Sequence, residues 1–408
     1  MSSRDRADSL QGITPVHRLI IAAFVMDMGV AMVGMAVQFM GNALEAAPTI
    51  LGLLGTASPA AYTLGCLFTG RLSDRLGRRL LNSAACLVCA AAWLAMTQTE
   101  TALQLLAIIP VSGAAISMFW PPLQAWLSEV TVGGRRRLVR NIGAFNISWT
   151  IGLMLGPPVA GLAWDIGPAA PFIIAAAAVI GVLVLLQTIP AEVEGGGEEG
   201  PEDEAGGPDG EIARRFLYLA WIANFASWFG RGMNIVVFPK LGTDAGLPAR
   251  VIGTTVAMFL AGQLVMFLYL RTRSGWQYRL WPLLAALGAG SAGWLIAYSA
   301  ASPALYAAAF AIAGMGAGVT YVSSLYYSLQ GHTVSRGART GIHEAVLGSG
   351  IFLGPLFGGL VADHVALNAP YVLTAGVFAL FAAIVYAAWR RMRINAQRRA
   401  EQAEVLGE

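Results

Sequence analysis

Four ionisable side chains stand inside long apolar stretches of this sequence, and they are the residues most able to do chemistry. They are Asp27, Arg231, His343 and Glu344. A charge at the centre of a membrane helix costs roughly 2.5–3.5 kcal/mol even on the scale of insertion experiments, so such residues are usually kept for a function. The acids and the histidine can hold or release a proton, and the arginine can bind an anionic group.

The sequence leaves two interpretations open for each of these residues. Asp27 is either a site for a proton or a cationic solute, or a structural partner of Arg231 or of a neighbouring helix. Arg231 either contacts an anionic group of a solute or holds Asp27. His343 and Glu344 lie about one turn into their stretch, where a gate or proton relay competes with simple placement at the membrane interface.

Four of the apolar stretches contain further polar residues, spaced so that they share one face of a helix. Gln38 falls on the face of Asp27, and Asn224 and Asn234 share a stripe with Arg231. Two other stretches carry Ser117, Trp120 and Gln124, and Thr320, Ser324 and Tyr327. The spacing therefore predicts polar faces on four otherwise apolar helices.

The elements that position these residues are membrane spans. Of the 408 residues, 56% are hydrophobic and 12% are charged, against roughly 25% charged in an ordinary soluble domain. About 20 apolar residues cross a bilayer, and a backbone in hydrocarbon must satisfy its own hydrogen bonds, so each run is a helix. Twelve runs qualify, at about 19–40, 48–69, 80–97, 102–128, 141–163, 170–189, 216–239, 251–270, 281–299, 303–329, 341–362 and 370–389.

Basic residues lie in alternate gaps between these runs. All but three of the 26 lysines and arginines fall on one side, the exceptions being Lys240, Arg250 and the intramembrane Arg231. The positive-inside rule then places both termini in the cytoplasm and requires an even number of spans. The bias towards Ala, Gly and Arg is typical of bacterial proteins from GC-rich genomes, which predicts a multi-pass protein of the inner (plasma) membrane.

The runs divide into two related halves. Residues 191–213 hold nine acidic residues and seven glycines, which predicts a flexible cytoplasmic linker between six-helix bundles at 1–190 and 214–408. Segment 152–165 matches segment 350–363, displaced by 198 positions. A weaker match at 201 positions pairs Phe24, Gly29, Met32, Gly41 and Gly52 with Phe225, Gly230, Met233, Gly242 and Gly253. Duplication of a six-helix unit is typical of transporters.

Several other functions are excluded by the sequence. Lys240 follows a proline, so no phosphate-binding GxxxxGK[ST] loop exists. Cys66, Cys86 and Cys89 lie inside apolar runs and predict free thiols, without a disulfide framework or zinc site. The residues after His343 break the HExxH pattern. We therefore expect no enzyme, no metal, no cofactor and no nucleic-acid partner.

The loop after the second run reads GRLSDRLGRR at 70–79 and closely matches the motif GxLaDrxGrr. With it, the sequence resembles the Major Facilitator Superfamily over nearly its whole length. Two segments resemble the GxxxGPxxGG motif of the antiporter branches, the first with Ala160 in place of a glycine; their key residues are Gly152, Gly156, Pro157, Gly350, Gly354 and Pro355. The resemblance implies an all-α integral membrane fold of twelve transmembrane helices, in two six-helix halves related by pseudo-twofold symmetry.

The resemblance also implies two mechanical roles. In the family, the aspartate of the loop motif docks on the start of helix 11 and closes the cytoplasmic side. Here Asp74 would dock near Thr340, although the neighbouring arginines could instead only set topology. The predicted gate comprises Gly70, Asp74, Arg75, Gly77, Arg78, Glu129, His343 and Glu344. The Gly-Pro segments would permit close packing and bending of helices 5 and 11.

In the family, helices 1, 4, 7 and 10 line a central cavity, so the four polar faces are expected to meet there. The resulting coupling and substrate residues are Asp27, Gln38, Trp120, Gln124, Asn224, Arg231, Asn234 and Tyr327. Aromatic walls suit drug-like compounds and sugars alike, whereas an arginine suits carboxylates. The identity of the substrate therefore stays open.

We expect a secondary transporter of a small organic solute that works by alternating access, with a proton as the candidate coupling ion. The fifth-helix motif favours an efflux antiporter, whereas Ile109 stands where proton-coupled drug antiporters carry an arginine. The alternatives are an uncoupled facilitator of a sugar or organic anion, and a non-transporting membrane sensor. The expected partners are the solute and the lipid bilayer, and the expected state is a monomer.

Overall fold

The computed structural model describes residues 14–131, 134–189, 210–273, 275–329 and 336–406. The predicted linker 191–213 lies mostly outside these ranges, and helix α8 already begins inside it. Thirteen helices account for most of the described residues, namely α1 Pro15–Ala43, α2 Pro48–Leu76, α3 Arg78–Met96, α4 Ala102–Ser117, α5 Trp120–Glu129, α6 Gly134–Ile166, α7 Ala170–Gln187, α8 Gly210–Asp244, α9 Ala249–Arg271, α10 Leu280–Ser299, α11 Pro303–Leu329, α12 Arg336–His364 and α13 Ala369–Leu406.

The predicted all-helical membrane fold is confirmed. Within the described residues, eleven spans are long and apolar enough to cross a membrane, with α4 and α5 counted as one. Helix α8 supplies the length for a twelfth, with 35 residues. Its hydropathy is lowered by the polar stripe that contains Asn224, Arg231 and Asn234.

The fourth span is broken where the sequence predicts one helix. Helix α4 ends at Ser117 and α5 begins at Trp120, directly before Pro121 and Pro122. A proline lacks the backbone N–H that an intrahelical bond needs and clashes with the preceding turn, so two in succession favour a new helix start. The hydropathy pattern does not predict this break, because the prolines interrupt the helical hydrogen bonds but leave the run of apolar residues continuous.

The described chain clusters into two compact units. Unit 1 comprises Met1–Glu45, Ala57–Asp203 and Pro248–Gly253; unit 2 comprises Ala46–Thr56, Glu204–Leu247 and Thr254–Glu408. In unit 1, α1 packs on α6 and α7, while α3 packs on α4 and α7. In unit 2, α8 packs on α12 and α13, while α10 packs on α11 and α13. Corresponding helices of the two sequence repeats therefore make the same contacts.

The residues of the two repeat matches form these helix contacts. In unit 1, a Cβ at Gly152 would overlap the carbonyl of Phe24 in α1. In unit 2, a Cβ at Gly350 would lie 3.0 Å from the carbonyl oxygen of Phe225 in α8. Since Phe24 and Phe225 are themselves matched, both repeats use the same close approach of two backbones.

Candidate functional site

Polar and aromatic side chains of α8, α11 and α12 meet inside unit 2. We call Asn224, Trp228, Tyr321, Ser324 and His343 the unit 2 cluster. The Ser324 hydroxyl and His343 Nδ1 are hydrogen bonded at 2.6 Å. The ring of Tyr321 lies 5.2 Å from that of His343 and 6.0 Å from that of Trp228. These contacts connect all three helices.

Three members of the unit 2 cluster carry buried polar atoms without a hydrogen-bond partner in the described part of the chain. These atoms are both amide atoms of Asn224, Trp228 Nε1 and His343 Nε2. Asn224 and His343 are completely buried, and Trp228 is 3% exposed. Because a buried polar group without a hydrogen bond costs about 1–3 kcal/mol, these donors and acceptors favour a polar solute or water as their partner.

The surrounding contacts hold the unit 2 cluster in place. The hydroxyls of Ser227 and Thr320 are hydrogen bonded at 2.8 Å and tie α8 to α11. The guanidinium carbon of Arg231 lies 5.0 Å from the ring centre of Trp228, a cation–π contact. Asn224, Trp228 and Arg231 follow each other at helical spacing on α8, which explains why the predicted polar stripe forms one face.

Glu344 follows His343 but points elsewhere, because successive residues of a helix differ by about 100°. His343 is buried against Ser324, whereas Glu344 is exposed. The same turn of α12 therefore carries a buried imidazole on one face and an exposed carboxylate on another.

Unit 1 contains four of the predicted cavity residues. Asp27 is 6% exposed and Gln38 is 1% exposed, so both are buried in α1. Trp120 packs edge-on against Phe119 and Phe145, at ring distances of 5.5 and 5.9 Å. Gln124, one turn further along α5, is exposed. The assignment of these four residues to a substrate cavity stays a prediction.

Two predicted cavity residues of unit 2 make separate contacts. Tyr327 lies among aromatic rings, 5.8 Å from Phe216 and 5.1 Å from Tyr278, and its hydroxyl accepts a hydrogen bond from the backbone N–H of Tyr278 at 2.8 Å. Asn234 accepts a hydrogen bond from the hydroxyl of Tyr371 at 3.4 Å. Neither contact involves the unit 2 cluster, and the assignment of Tyr327 and Asn234 to a substrate cavity stays a prediction.

The loop motif forms a local charge network in unit 1. Arg78 binds Asp74 at 2.6 Å and Glu129 at 3.1 Å, and it also donates to the hydroxyl of Ser73. Gly77 joins α2 to α3 with a φ of 86°, a conformation that favours glycine. Gly70 lies within α2 and Arg75 is exposed at its end. The side chain of Thr340 lies outside the described residues, so docking of Asp74 on helix 11 stays a prediction.

Sequence reasoning missed a pair of polar contacts at the beginnings of α2 and α9. In unit 1, Arg250 binds Asp165 at 2.9 Å. In unit 2, the Thr49 hydroxyl donates to Asp363 at 2.5 Å. Asp165 and Asp363 are matched at the 198-residue displacement, and Thr49 and Arg250 at the 201-residue displacement. The two displacements show that the contacts are equivalent, so one contact predicts the other, but the sequence alone does not predict that either forms.

The described residues contain no group of three or more histidine, cysteine or acidic side chains that could hold a metal ion.

Comparison with known families covers nearly the whole chain. The model of the Major Facilitator Superfamily matches residues 19–216 and 220–406. The chain belongs to the Major Facilitator Superfamily. The match in two segments agrees with the duplication seen in sequence and packing. No curated protein matches the chain in sequence.

Solved structures of other superfamily-type transporters share the fold at low identity. A bacterial homologue of the human lysosomal transporter Spinster, inward-facing and occupied, has a TM-score of 0.74 at 15% identity, covering 96% of this chain and 98% of the other. The nucleoside transporter NupG has a TM-score of 0.70 at 13% identity, and the match covers 92% of this chain and 99% of that one. A variant of the peptide transporter POT has a TM-score of 0.75 at 12% identity, and the match covers 92% of this chain and 94% of that one. These likenesses show the fold alone.

Proposed function

We propose that this protein is a secondary transporter that carries a small organic solute by alternating access, driven by a proton gradient across the bacterial inner membrane. Membership of the Major Facilitator Superfamily supports transport as the general activity. Solute binding is inferred from the unit 2 cluster. In this cluster, Asn224, Trp228 and His343 have buried polar atoms without a hydrogen-bond partner among the described residues.

The chemistry of the unit 2 cluster favours a neutral or amphipathic solute with hydrogen-bonding edges and a flat apolar face. The amide of Asn224 can both donate and accept, and the indole N–H of Trp228 donates. The rings of Trp228 and Tyr321 offer surfaces for stacking. Nucleosides and peptides, which two of the structural neighbours are named for, have groups of this kind.

Proton coupling rests on two carboxylates within the spans. Asp27 is buried in α1, and Glu344 is exposed on α12 beside the unit 2 cluster. A carboxylate that moves between a dry and a wet environment, or meets and leaves a cation, exchanges a proton. Asp27 is our first candidate for the coupling residue and Glu344 our second.

The test is transport in proteoliposomes with and without an inward-acid pH gradient. The solutes are nucleosides, dipeptides, sugars, organic acids and cationic dyes, each followed with an internal pH dye. We expect at least one solute to move against its gradient while protons move down theirs, in either direction. Asp27→Asn should then abolish proton movement, whereas Asp244→Asn, a matched change at an exposed carboxylate paired with Lys240, should not.

The second candidate function is uncoupled facilitation. Ile109, buried in α4, stands at the position where the proton-coupled drug antiporters of the superfamily carry an arginine, and this departure favours it. Solute flux that is equal with and without the pH gradient, and unchanged in Asp27→Asn and Glu344→Gln, would establish the facilitator and reject proton coupling. No flux of any tested solute would count against transport of these classes.

A further inference from the structure

A groove of about 560 Å³ runs between α8, α12 and α13 within unit 2. Its walls are almost entirely hydrocarbon and aromatic rings. The residues used below are Tyr218, Trp221, Phe225, Ile342, Ser349 and Phe381. Among the described residues, no charged side chain lines the groove, so it suits an apolar occupant.

The groove opens on an exposed and largely apolar surface of unit 2. Tyr218 is 53% exposed and Ile342 is 44% exposed, although both are large and largely apolar. On α12, Ile342 and Ser349 share a face because they are seven residues apart. His343, on a different face, is buried against Ser324. The groove is therefore separate from the unit 2 cluster.

Arginines gather at one end of this groove. Arg214 and Arg215 stand in the first turns of α8, and Arg390 and Arg391 stand where the apolar part of α13 ends. Arg215 donates to the backbone carbonyl of Met392 at 3.3 Å, which places the two helix ends side by side. Residues 212–230 and 369–394 contain no aspartate or glutamate, whereas Glu211 precedes the two arginines of α8 and α12 carries the exposed Glu344. The arginines thus form a cationic rim over these stretches of α8 and α13.

We propose that this groove binds one acyl chain of an anionic phospholipid, with the phosphate held by the arginine rim. Arginine pairs well with phosphate oxygens, and basic pockets at this level of a membrane attract anionic headgroups. At 1.5 Å per residue, Arg214 stands about 6 Å along α8 from Tyr218 and about 16 Å from Phe225. The groove itself spans about 10 Å of α8, from Tyr218 to Phe225. With the further distance of about 6 Å to Arg214, the distance from the arginine rim to the far end of the groove matches one leaflet of the hydrocarbon core, about 15 Å deep.

The experiment titrates purified full-length protein with dioleoyl phosphatidylglycerol and with dioleoyl phosphatidylcholine, and counts bound lipids by native mass spectrometry. We expect the anionic lipid to bind roughly tenfold more tightly or better. The double variant Arg214→Gln/Arg390→Gln should lose this preference. The matched control Arg271→Gln/Arg273→Gln removes two arginines at the same predicted membrane side, at the end of α9, and should keep it.

A second variant tests the acyl chain. Ser349→Phe fills the groove and leaves the arginine rim intact, so it should weaken binding of phosphatidylglycerol. Ala177→Phe, an added ring at an exposed position of α7, should not. Equal binding of the two lipids to the wild type, or unchanged binding in either the arginine or the Ser349 variant, overturns the proposal.

A third measurement works in nearly native protein and does not depend on the folding of those variants. Trp221 lines the groove, so phosphatidylglycerol with brominated chains should quench its fluorescence, measured as the difference between the wild type and Trp221→Phe. Phosphatidylcholine with the same brominated chains should quench it less at equal low concentration. Equal quenching by the two lipids would also overturn the proposal.

Discussion

Asn224 is completely buried, and both of its amide atoms lack a hydrogen-bond partner among the described residues, so we expect it to contribute to solute binding at the expense of stability. Leucine has the same number of side-chain heavy atoms, branched at the same carbon, and needs no hydrogen bond. We expect Asn224→Leu to raise the free energy of unfolding by about 1 kcal/mol, measured by thermal unfolding. The same variant should slow solute counterflow roughly tenfold, since it removes hydrogen bonds to the solute.

Thr374→Val is the control for this change. Thr374 is also completely buried, but its hydroxyl donates to the carbonyl of Pro370 at 2.8 Å, in α13. Its removal should cost about 1 kcal/mol of stability and leave counterflow unchanged. An Asn224→Leu protein that loses stability and transports normally would assign Asn224 a structural role.

The sequence predicts which residues share a helix face but not which faces meet. Tyr321 and Tyr327 both belong to α11, yet Tyr321 contacts His343 and Tyr327 contacts Tyr278. Spacing along one helix defines its own faces. The rotation and depth of that helix against its neighbours depend on packing, which no single helix encodes. This is why the sequence could place Asn224 and Arg231 on one face of α8 but could not predict that Tyr327 packs against Tyr278.

The helix contacts made through glycine predict a matched pair of defects. A Cβ at Gly354 would lie 2.7 Å from the backbone nitrogen of Met233, and a Cβ at Gly156 would lie 2.7 Å from the carbonyl oxygen of Met28. The crowding atoms are backbone and cannot move aside easily. We expect Gly156→Ala and Gly354→Ala each to lower the free energy of unfolding by about 1–3 kcal/mol, measured by denaturant titration in detergent.

Gly181 and Gly376 provide controls on α7 and α13. At both positions, the space that a Cβ would occupy has no heavy atom of a packed neighbour within 4 Å in the described part of the chain. Alanine there should be neutral or stabilising by up to about 1 kcal/mol, because glycine is the weaker helix former. Losses of equal size at all four positions would contradict the assignment of the effect to close packing of α6 and α12, because neither packing nor helix propensity predicts a loss at Gly181 or Gly376.

The internal repeat made much of this packing predictable from sequence. Glycines of segments 152–165 and 350–363 rest on Phe24 and Phe225, the residues matched by the second displacement. Periodic hydrophobicity likewise predicted the spans. The break at Phe119 between α4 and α5 was missed because hydropathy averages over the prolines that cause it.

At the scale of the molecule, the two units do not coincide with the two halves of the sequence. Helix α2 begins in unit 2 and continues in unit 1, and α9 begins in unit 1 and continues in unit 2. The contacts of Thr49 with Asp363 and of Arg250 with Asp165 hold these first turns. The Arg250–Asp165 contact is an exposed ion pair, worth only about 0.2–1 kcal/mol, and the Thr49–Asp363 contact is a single hydrogen bond. We therefore expect neither contact alone to prevent a movement of these first turns.

The distribution of arginine predicts the orientation of the whole chain, which thiol labelling can test. In a background with Cys66, Cys86 and Cys89 replaced by alanine, single cysteines are placed by Asp244→Cys and Thr272→Cys at exposed sites. Thr272 lies near Arg271, Arg273 and Arg279, on the arginine-rich side that is predicted to be cytoplasmic. Asp244 lies between Lys240 and Arg250, on the opposite side, which has few basic residues.

We expect a membrane-impermeant maleimide to label Asp244→Cys in intact cells and to label Thr272→Cys only after permeabilisation. The cysteine-free protein should stay unlabelled, and both variants should react equally once the membrane is opened. The reverse pattern would place both termini outside and contradict the positive-inside assignment. Labelling of both sites in intact cells would contradict the odd number of spans that the structure places between them, because only α9 separates residues 244 and 272.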